Sequence, residues 1–148
     1  IVVDWGNGEP TNISPWEIVM LNGREIKYVD TSVRIDGDEK GMIGALNAII
    51  ADQRYTMFQH CPNPETFADY NKIVTSPMSL QFILERLENG YYRTVDSISA
   101  DIQLLYTNSV LYNDSNSQIT TQAKELQSNL KRTLDGLAKQ FKDKRTTK

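Results

Sequence analysis

The sequence is short of the residues that staple, ligate and span. Its 148 residues hold one cysteine, Cys61, and one histidine, His60, beside it. A lone cysteine excludes an intramolecular disulfide and fits a reducing compartment, the cytosol or nucleus. Zinc sites need three or four ligands, so His60-Cys61 does not read as a metal site. The only His has no evident nucleophile beside it, and acidic pairs such as Asp38-Glu39 read as helix-entry charges. Neither an enzyme nor a cofactor is expected. No apolar run approaches the roughly 20 residues that cross a bilayer, and Ile1 to Trp5 lack the start of a signal peptide. No membrane association is therefore expected, and a chain that starts on Ile1 is expected to be cut from something longer. The sequons Asn12-Ile13-Ser14 and Asn113-Asp114-Ser115 read as chance matches in an intracellular protein.

What is present suits one domain with a flanking segment: 39% of the residues are hydrophobic and 24% charged. The net charge of −3 conceals an asymmetry, because residues 131–148 carry +5 and the remainder −8. An acidic body suits a basic peptide partner, whereas the basic end either solvates a helix or touches nucleic acid weakly, solvation being preferred.

From Ile1 to about Asp36 the pattern is extended. Ile1-Val2-Val3-Asp4-Trp5 and Trp16-Glu17-Ile18-Val19-Met20-Leu21 are β-branched and aromatic, with turn residues at Gly6-Asn7-Gly8 and Asn22-Gly23, which predicts two or three short strands. Past Gly37 the period becomes helical. Ile43, Leu46 and Ile50, with Met42 and Ile49 beside them, make a first apolar stripe; Leu80, Ile83, Leu84 and Leu87 make a second. Val95, Ile98, Ile102 and Leu105 form a third, and Ile119, Ala123, Leu126, Leu130, Leu134, Leu137 and Phe141 a fourth. Four helices are predicted. The second should start at Pro77 and stop at Asn89-Gly90; the third should run from Thr94 or Ser97 to Asn113.

The connection from about Arg54 to Ser76 is too long and too aromatic for a bland linker. Tyr55, Met57, Phe58, Phe67 and Tyr70 predict that it folds back over the bundle and makes one wall of a pocket. Asn113 is the first candidate for ligand contact, since a carboxamide both donates and accepts and recognises an amide without charge. Its other reading is a helix-ending Asn in the left-handed conformation.

The stretch from Ala68 to Ile119 resembles a bromodomain, the acetyl-lysine reader of chromatin proteins. Asn108, Ser109, Tyr112, Asn113 and Ile119 keep the spacing of that family, in which a Tyr-Asn pair ends the third helix and an apolar gatekeeper opens the fourth. The resemblance implies that Asn113 anchors acetyl-lysine, that Ile119 is the gatekeeper and that Asn108 ties the long loop to the helix. Tyr70, in Asp69-Tyr70-Asn71-Lys72-Ile73-Val74, resembles the loop Tyr whose hydroxyl holds a water bridging to the acetyl oxygen. Phe58, Pro62, Phe67 and Tyr112 complete the implied acetyl-lysine site. The family's Trp-Pro-Phe shelf becomes Thr56-Met57-Phe58, Pro62 stands where many relatives carry Val, and Asn71 replaces a common second Tyr.

A finer resemblance covers about twenty residues. Val3-Asp4-Trp5-Gly6-Asn7-Gly8-Glu9 and Ile13-Ser14-Pro15-Trp16-Glu17 look like the strand pair of a Tudor-like barrel before the first bromodomain of WD-repeat and bromodomain proteins. Trp5 and Trp16 could cage methyl-lysine there, although packing is the preferred role. Together these resemblances imply an all-α fold, a left-handed four-helix bundle with a long loop between helices one and two and a short β segment before it. The expected layout is a flanking segment over 1–36, a bromodomain over 37–142 and a basic tail over 143–148. The implied function is recognition of acetylated histone peptides by a monomeric nuclear chromatin reader, with a weak DNA contact by the tail. The alternative is a degenerate bromodomain that serves as a scaffold or reads methyl-lysine through its N-terminal segment.

Overall fold

The structure, a computed structural model, describes residues 35–147 and, before them, the strands β1 (Val2–Val3), β2 (Thr11–Asn12), β3 (Ile18–Leu21) and β4 (Glu25–Tyr28). The chain divides into two compact units, residues 1–32 and 33–148. In the first unit β1 pairs antiparallel with β2 and β3 with β4, in register Val3↔Thr11 and Leu21↔Glu25. That makes four short strands in two pairs where two or three were expected; Thr11–Asn12 and Glu25–Tyr28 carry little of the apolar run that marks a strand in sequence. Trp5, Trp16 and the Asn22-Gly23 turn lie outside the described residues.

The second unit is all helical among its described residues. Its elements are α1 (Glu39–Ala51), a 3-10 helix over Gln53–Phe58, the single-turn α2 (Tyr70–Ile73), α3 (Leu80–Glu88), α4 (Val95–Tyr112) and α5 (Gln118–Thr146). The four long helices pack as a bundle around one core, with α5 against both α1 and α4, and α3 against α1 and α4. Among the described residues no helix is long and apolar enough to cross a membrane.

The expected stripes form the core. Leu80, Ile83, Leu84 and Leu87 are all buried, as are Ile98, Ile102 and Leu105, and Ala123, Leu126, Leu130 and Leu134. On α1 the stripe is centred on Met42 and Leu46, both fully buried, with Ile43, Ile49 and Ile50 packed at its edges. At the α1 start the Asp38 side chain accepts the Gly41 N–H at 3.0 Å. A Cβ on Gly41 would sit 2.6 Å from that carboxylate and 3.1 Å from Leu137, so the missing side chain lets both the cap and α5 approach.

Three boundaries differ from expectation. The second bundle helix begins at Leu80, not Pro77, because the Ser79 hydroxyl accepts from Phe82 N at 3.2 Å and caps it there. The long connection contains a 3-10 helix and a helical turn, and Tyr55 within it is fully buried, its hydroxyl accepting from Asn129 Nδ2 at 2.9 Å. The basic segment from residue 143 continues α5 to Thr146; Lys144 and Arg145 in its last turn complement the negative helix end.

The α3–α4 junction is held by a small polar network. After Asn89, Gly90 takes φ 68°, the left-handed value that lets Tyr91 N donate back to Arg86 O at 2.9 Å. The Arg86 guanidinium lies over the Phe82 and Tyr91 rings at 4.3 and 4.5 Å and donates to Asp101 Oδ2 at 2.6 Å. Tyr92, 1% exposed, donates its hydroxyl to the same oxygen at 2.6 Å. Burial, and then the Asp101 carboxylate, push the Tyr92 phenol far above its ordinary pKa. The folded state therefore keeps this proton where the unfolded chain has lost it. The stability this contributes is present below about pH 10 and is lost above it, with a slope approaching about 1.4 kcal/mol per pH unit. Tyr92→Phe should make the loss above pH 10 shallower and cost about 1–3 kcal/mol at pH 7, as read by urea unfolding at both pH values. Equal alkaline slopes in the two proteins would contradict this account of Tyr92.

Candidate functional site

Where α4 ends and α5 begins, a cavity of about 210 Å³ opens between the bundle and the returning loop. Its base is core: Phe58, Met78 and Leu105 line it and belong to the same cluster as the helical stripes. Pro62, Phe67 and Tyr70 line it from the loop; Tyr112, Asn113 and Ile119 line it from the α4–α5 side. Thus the structure gathers all seven residues singled out from the sequence into one cavity. It adds Met57, His60, Met78, Leu105, Asn108 and Ser109. Asn108 and Ser109 stand in the family-like spacing read from the sequence, Met57 in the predicted loop wall, and Leu105 on the third stripe. His60 carries no comparable signal.

The helix end sets the geometry of Asn113. Its backbone has φ −101° and ψ 162°, extended and not left-handed, so the left-handed reading is corrected. Its backbone N–H reaches Ser109 O at 2.9 Å. The side-chain Nδ2 donates to the same carbonyl at 3.1 Å and lies 3.4 Å from Ser109 Oγ. The longer contact is too weak to hold a hydrogen against a good acceptor, and Oδ1 has no hydrogen-bond partner among the described residues. One side of the amide is thus fastened to the helix while the other remains available.

Asn108 plays the tying role expected of it: it is buried, and Nδ2 donates to Ser76 O at 2.8 Å, joining α4 to the end of the loop. The loop's start is joined through Gln59 Nε2 to Ile50 O at 2.6 Å and through Gln81 N to Gln59 O at 3.1 Å. Tyr70 is 6% exposed, and its hydroxyl has no hydrogen-bond partner among the described residues. Burial, then Cys61 and Tyr112, raise its pKa, so it stays a neutral donor. A buried hydroxyl without a protein partner calls for water or a ligand. Tyr112 packs edge-on against Tyr70 at 4.9 Å and Phe67 at 6.4 Å between ring centres, and donates its hydroxyl to Asp69 Oδ1 at 2.9 Å.

Among the described residues no Asp, Glu, Lys or Arg lines the cavity, and its polar groups are amides, hydroxyls and the His60 imidazole. A protonated amine entering it would lose water with no carboxylate to replace it, whereas a neutral amide would meet a donor and an apolar wall.

Comparison with known proteins points to one family. The family model described as Bromodomain matches residues 42–125. Among curated proteins, the chain is 27% identical over 81 residues to Nuclear protein STH1/NPS1 of Saccharomyces cerevisiae, covering 55% of this chain and 6% of that protein. It is 29% identical over 92 residues to Tat-binding homolog 7 of Caenorhabditis elegans, covering 62% of this chain and 7% of that protein. It is 30% identical over 83 residues to the SWI/SNF chromatin-remodeling complex subunit snf22 of Schizosaccharomyces pombe, covering 56% of this chain and 5% of that protein. The matches therefore span under a tenth of these relatives' lengths. None is a WD-repeat protein by name, so the finer likeness of the N-terminal residues has no support from them. In the solved structure of the bromodomain from human BAZ1A the fold recurs with a TM-score of 0.62 at 19% identity, over 68% of this chain and 94% of that one. With the family pattern lying across α1, the loop, α3, α4 and the start of α5, the chain belongs to the bromodomain family.

Proposed function

We propose that the second unit binds acetyl-lysine on histone tails and acts, within a nuclear protein, as a chromatin reader without catalytic activity. The observation that carries this reading is the Asn113 carboxamide, fastened on one side to Ser109 and available on the other, in a cavity of about 210 Å³ that no carboxylate among the described residues lines. Acetylation removes the lysine charge and adds a carbonyl acceptor and a methyl group, which match the amide donor and the apolar base. The neutral Tyr70 hydroxyl is suited to hold a bridging water to the same carbonyl. Ile119 opens α5 at the cavity's mouth as gatekeeper, and Phe58, Pro62, Phe67 and Tyr112 pack the methylene stem and methyl.

The binding unit is proposed to be a monomer. The basic residues at the end of α5 add only a weak DNA contact beside an acidic body; one of them, Arg145, makes an exposed pair with Asp36 at 2.9 Å.

Affinity follows from size. An acetyl-lysine side chain has about eight heavy atoms, and at roughly 0.3 to 1 kcal/mol each a single mark should bind between tens of micromolar and millimolar. Calorimetry with a singly acetylated peptide measures this; nanomolar binding would contradict it, as would equal binding of the unmodified peptide.

Asn113→Ala should abolish detectable binding, since losing a desolvated hydrogen bond costs about 1–3 kcal/mol, while thermal stability stays near that of the parent. Tyr70→Phe should weaken binding less, because water can rearrange. Retained affinity in Asn113→Ala would remove Asn113 as the anchor.

A Lys/Arg-rich tail approaching an acidic body should also bind more weakly as salt rises, and deleting residues 143–148 should leave peptide affinity unchanged. Affinity that is flat with salt would separate recognition from the charge of the body.

A further inference from the structure

The mid-loop that carries Phe67 and Tyr70 is held to the bundle in an unusual way. Between residues 62 and 75, the hydrogen bonds made among the described residues are local, such as Thr66 N to Asn63 O at 3.0 Å and Val74 N to Tyr70 O at 2.8 Å, with one exception. The exception is Tyr112 Oη donating to Asp69 Oδ1 at 2.9 Å, across 43 residues of sequence. The same Tyr112 ring meets Tyr70 edge-on at 4.9 Å and Phe67 at 6.4 Å. One side chain at the end of α4 thus touches three residues of the mid-loop, and it directly precedes Asn113. The loop's two ends are tied elsewhere, by Gln59 and Asn108, so the hydroxyl-to-carboxylate bond is the polar tie at its middle.

From this arrangement we infer that Tyr112 and Asp69 are a positioning pair: their hydrogen bond fixes the distance between the Tyr70 hydroxyl and the Asn113 amide, and so sets acyl-lysine affinity without either polar group touching the acyl carbonyl. The inference rests on the acetyl-lysine reading of this cavity. Asp69 opens the helical turn that holds Tyr70, and its own backbone carbonyl accepts from Lys72 N at 3.0 Å, so movement of Asp69 carries Tyr70 with it. Ring stacking alone leaves sliding freedom, since edge-to-face contacts are broad, whereas a hydrogen bond of this length sets one register. That bond also raises the Tyr112 phenol above its ordinary pKa. Because the pair is exposed, it contributes little to folding, and its effect falls on the geometry of the cavity.

The test is a set of variants in the full chain, titrated with a singly acetylated histone-type peptide and with its unmodified form. Tyr112→Phe keeps the ring and removes the donor; Asp69→Ala removes the acceptor; Asp69→Asn keeps an acceptor oxygen. Tyr112→Phe and Asp69→Ala should each weaken acetyl-peptide binding about three- to tenfold, Asp69→Asn less than about twofold, and the double variant no more than the worse single one. The decisive reading is coupling to Tyr70. In the Tyr112→Phe background, Tyr70→Phe should cost about half or less of its effect in the parent, measured as the logarithm of the fold-change, because a hydroxyl no longer held in place contributes less. Melting temperatures report folding separately. Unchanged affinity in Tyr112→Phe, or an undiminished Tyr70→Phe effect in that background, would overturn the pair's positioning role. Failure of the parent itself to prefer the acetylated peptide would instead overturn the acetyl-lysine reading.

Discussion

A side chain that is to donate a hydrogen bond into an apolar cavity must be held from behind, because a freely rotating carboxamide loses entropy on binding and gains little. Here the Ser109 carbonyl supplies that hold, accepting both the backbone and the side-chain N–H of Asn113. Asn113 leaves the helical conformation directly after that bond, with φ −101° and ψ 162°; continued by another turn, the helix would leave it an ordinary member of its surface. The rest of the unit sustains that helix end. Ile98, Ile102 and Leu105 bury the face of α4 against its neighbours, and the Arg86–Asp101–Tyr92 network secures its other half against α3. Ser117 caps α5 directly after a short Asp114–Asn116 turn, which brings Ile119 back beside Asn113.

The loop solves a different problem. It has to cover the cavity without a stripe of its own, and it does so by burying Tyr55, Phe58 and Tyr70 at intervals while its ends are bonded to α1, α3 and α4. Phe58 joins the core, whereas Met57 before it is 61% exposed. Where the family's shelf carries a stiff Trp-Pro, this chain has a flexible thioether at the rim, a softer apolar surface.

The four bundle helices were legible because apolar residues recur at helical spacing and are buried as that spacing requires; Leu80, Ile83, Leu84 and Leu87 are the plainest case. Legibility failed where side-chain to backbone bonds decide. Pro77 is a good start signal, yet the Ser79 hydroxyl wins because it satisfies a helix N–H directly. The short helices in the loop carry no periodic signal over so few residues, and α5 beyond residue 142 carries no apolar stripe, only basic residues that complement its end and an exposed Arg145–Asp36 pair, 109 residues apart in sequence. Tyr112, Asn113 and Ile119 were singled out by a family-like spacing that reflects one helix end, and Phe58, Pro62, Phe67 and Tyr70 by the resemblance of the loop; the place of His60 depends on loop folding and left no such trace.

The account turns on Asn113 meeting an acyl carbonyl, and the side-chain amide signal of Asn113 in a ¹⁵N-labelled sample reports that contact most directly. On titration with acetyl-lysine in a short peptide, that signal should shift saturably, in step with resonances of Tyr70 and Ile119, and should stay still when unmodified lysine replaces it. A saturable response elsewhere in the chain with the Asn113 side-chain amide unmoved would contradict the account.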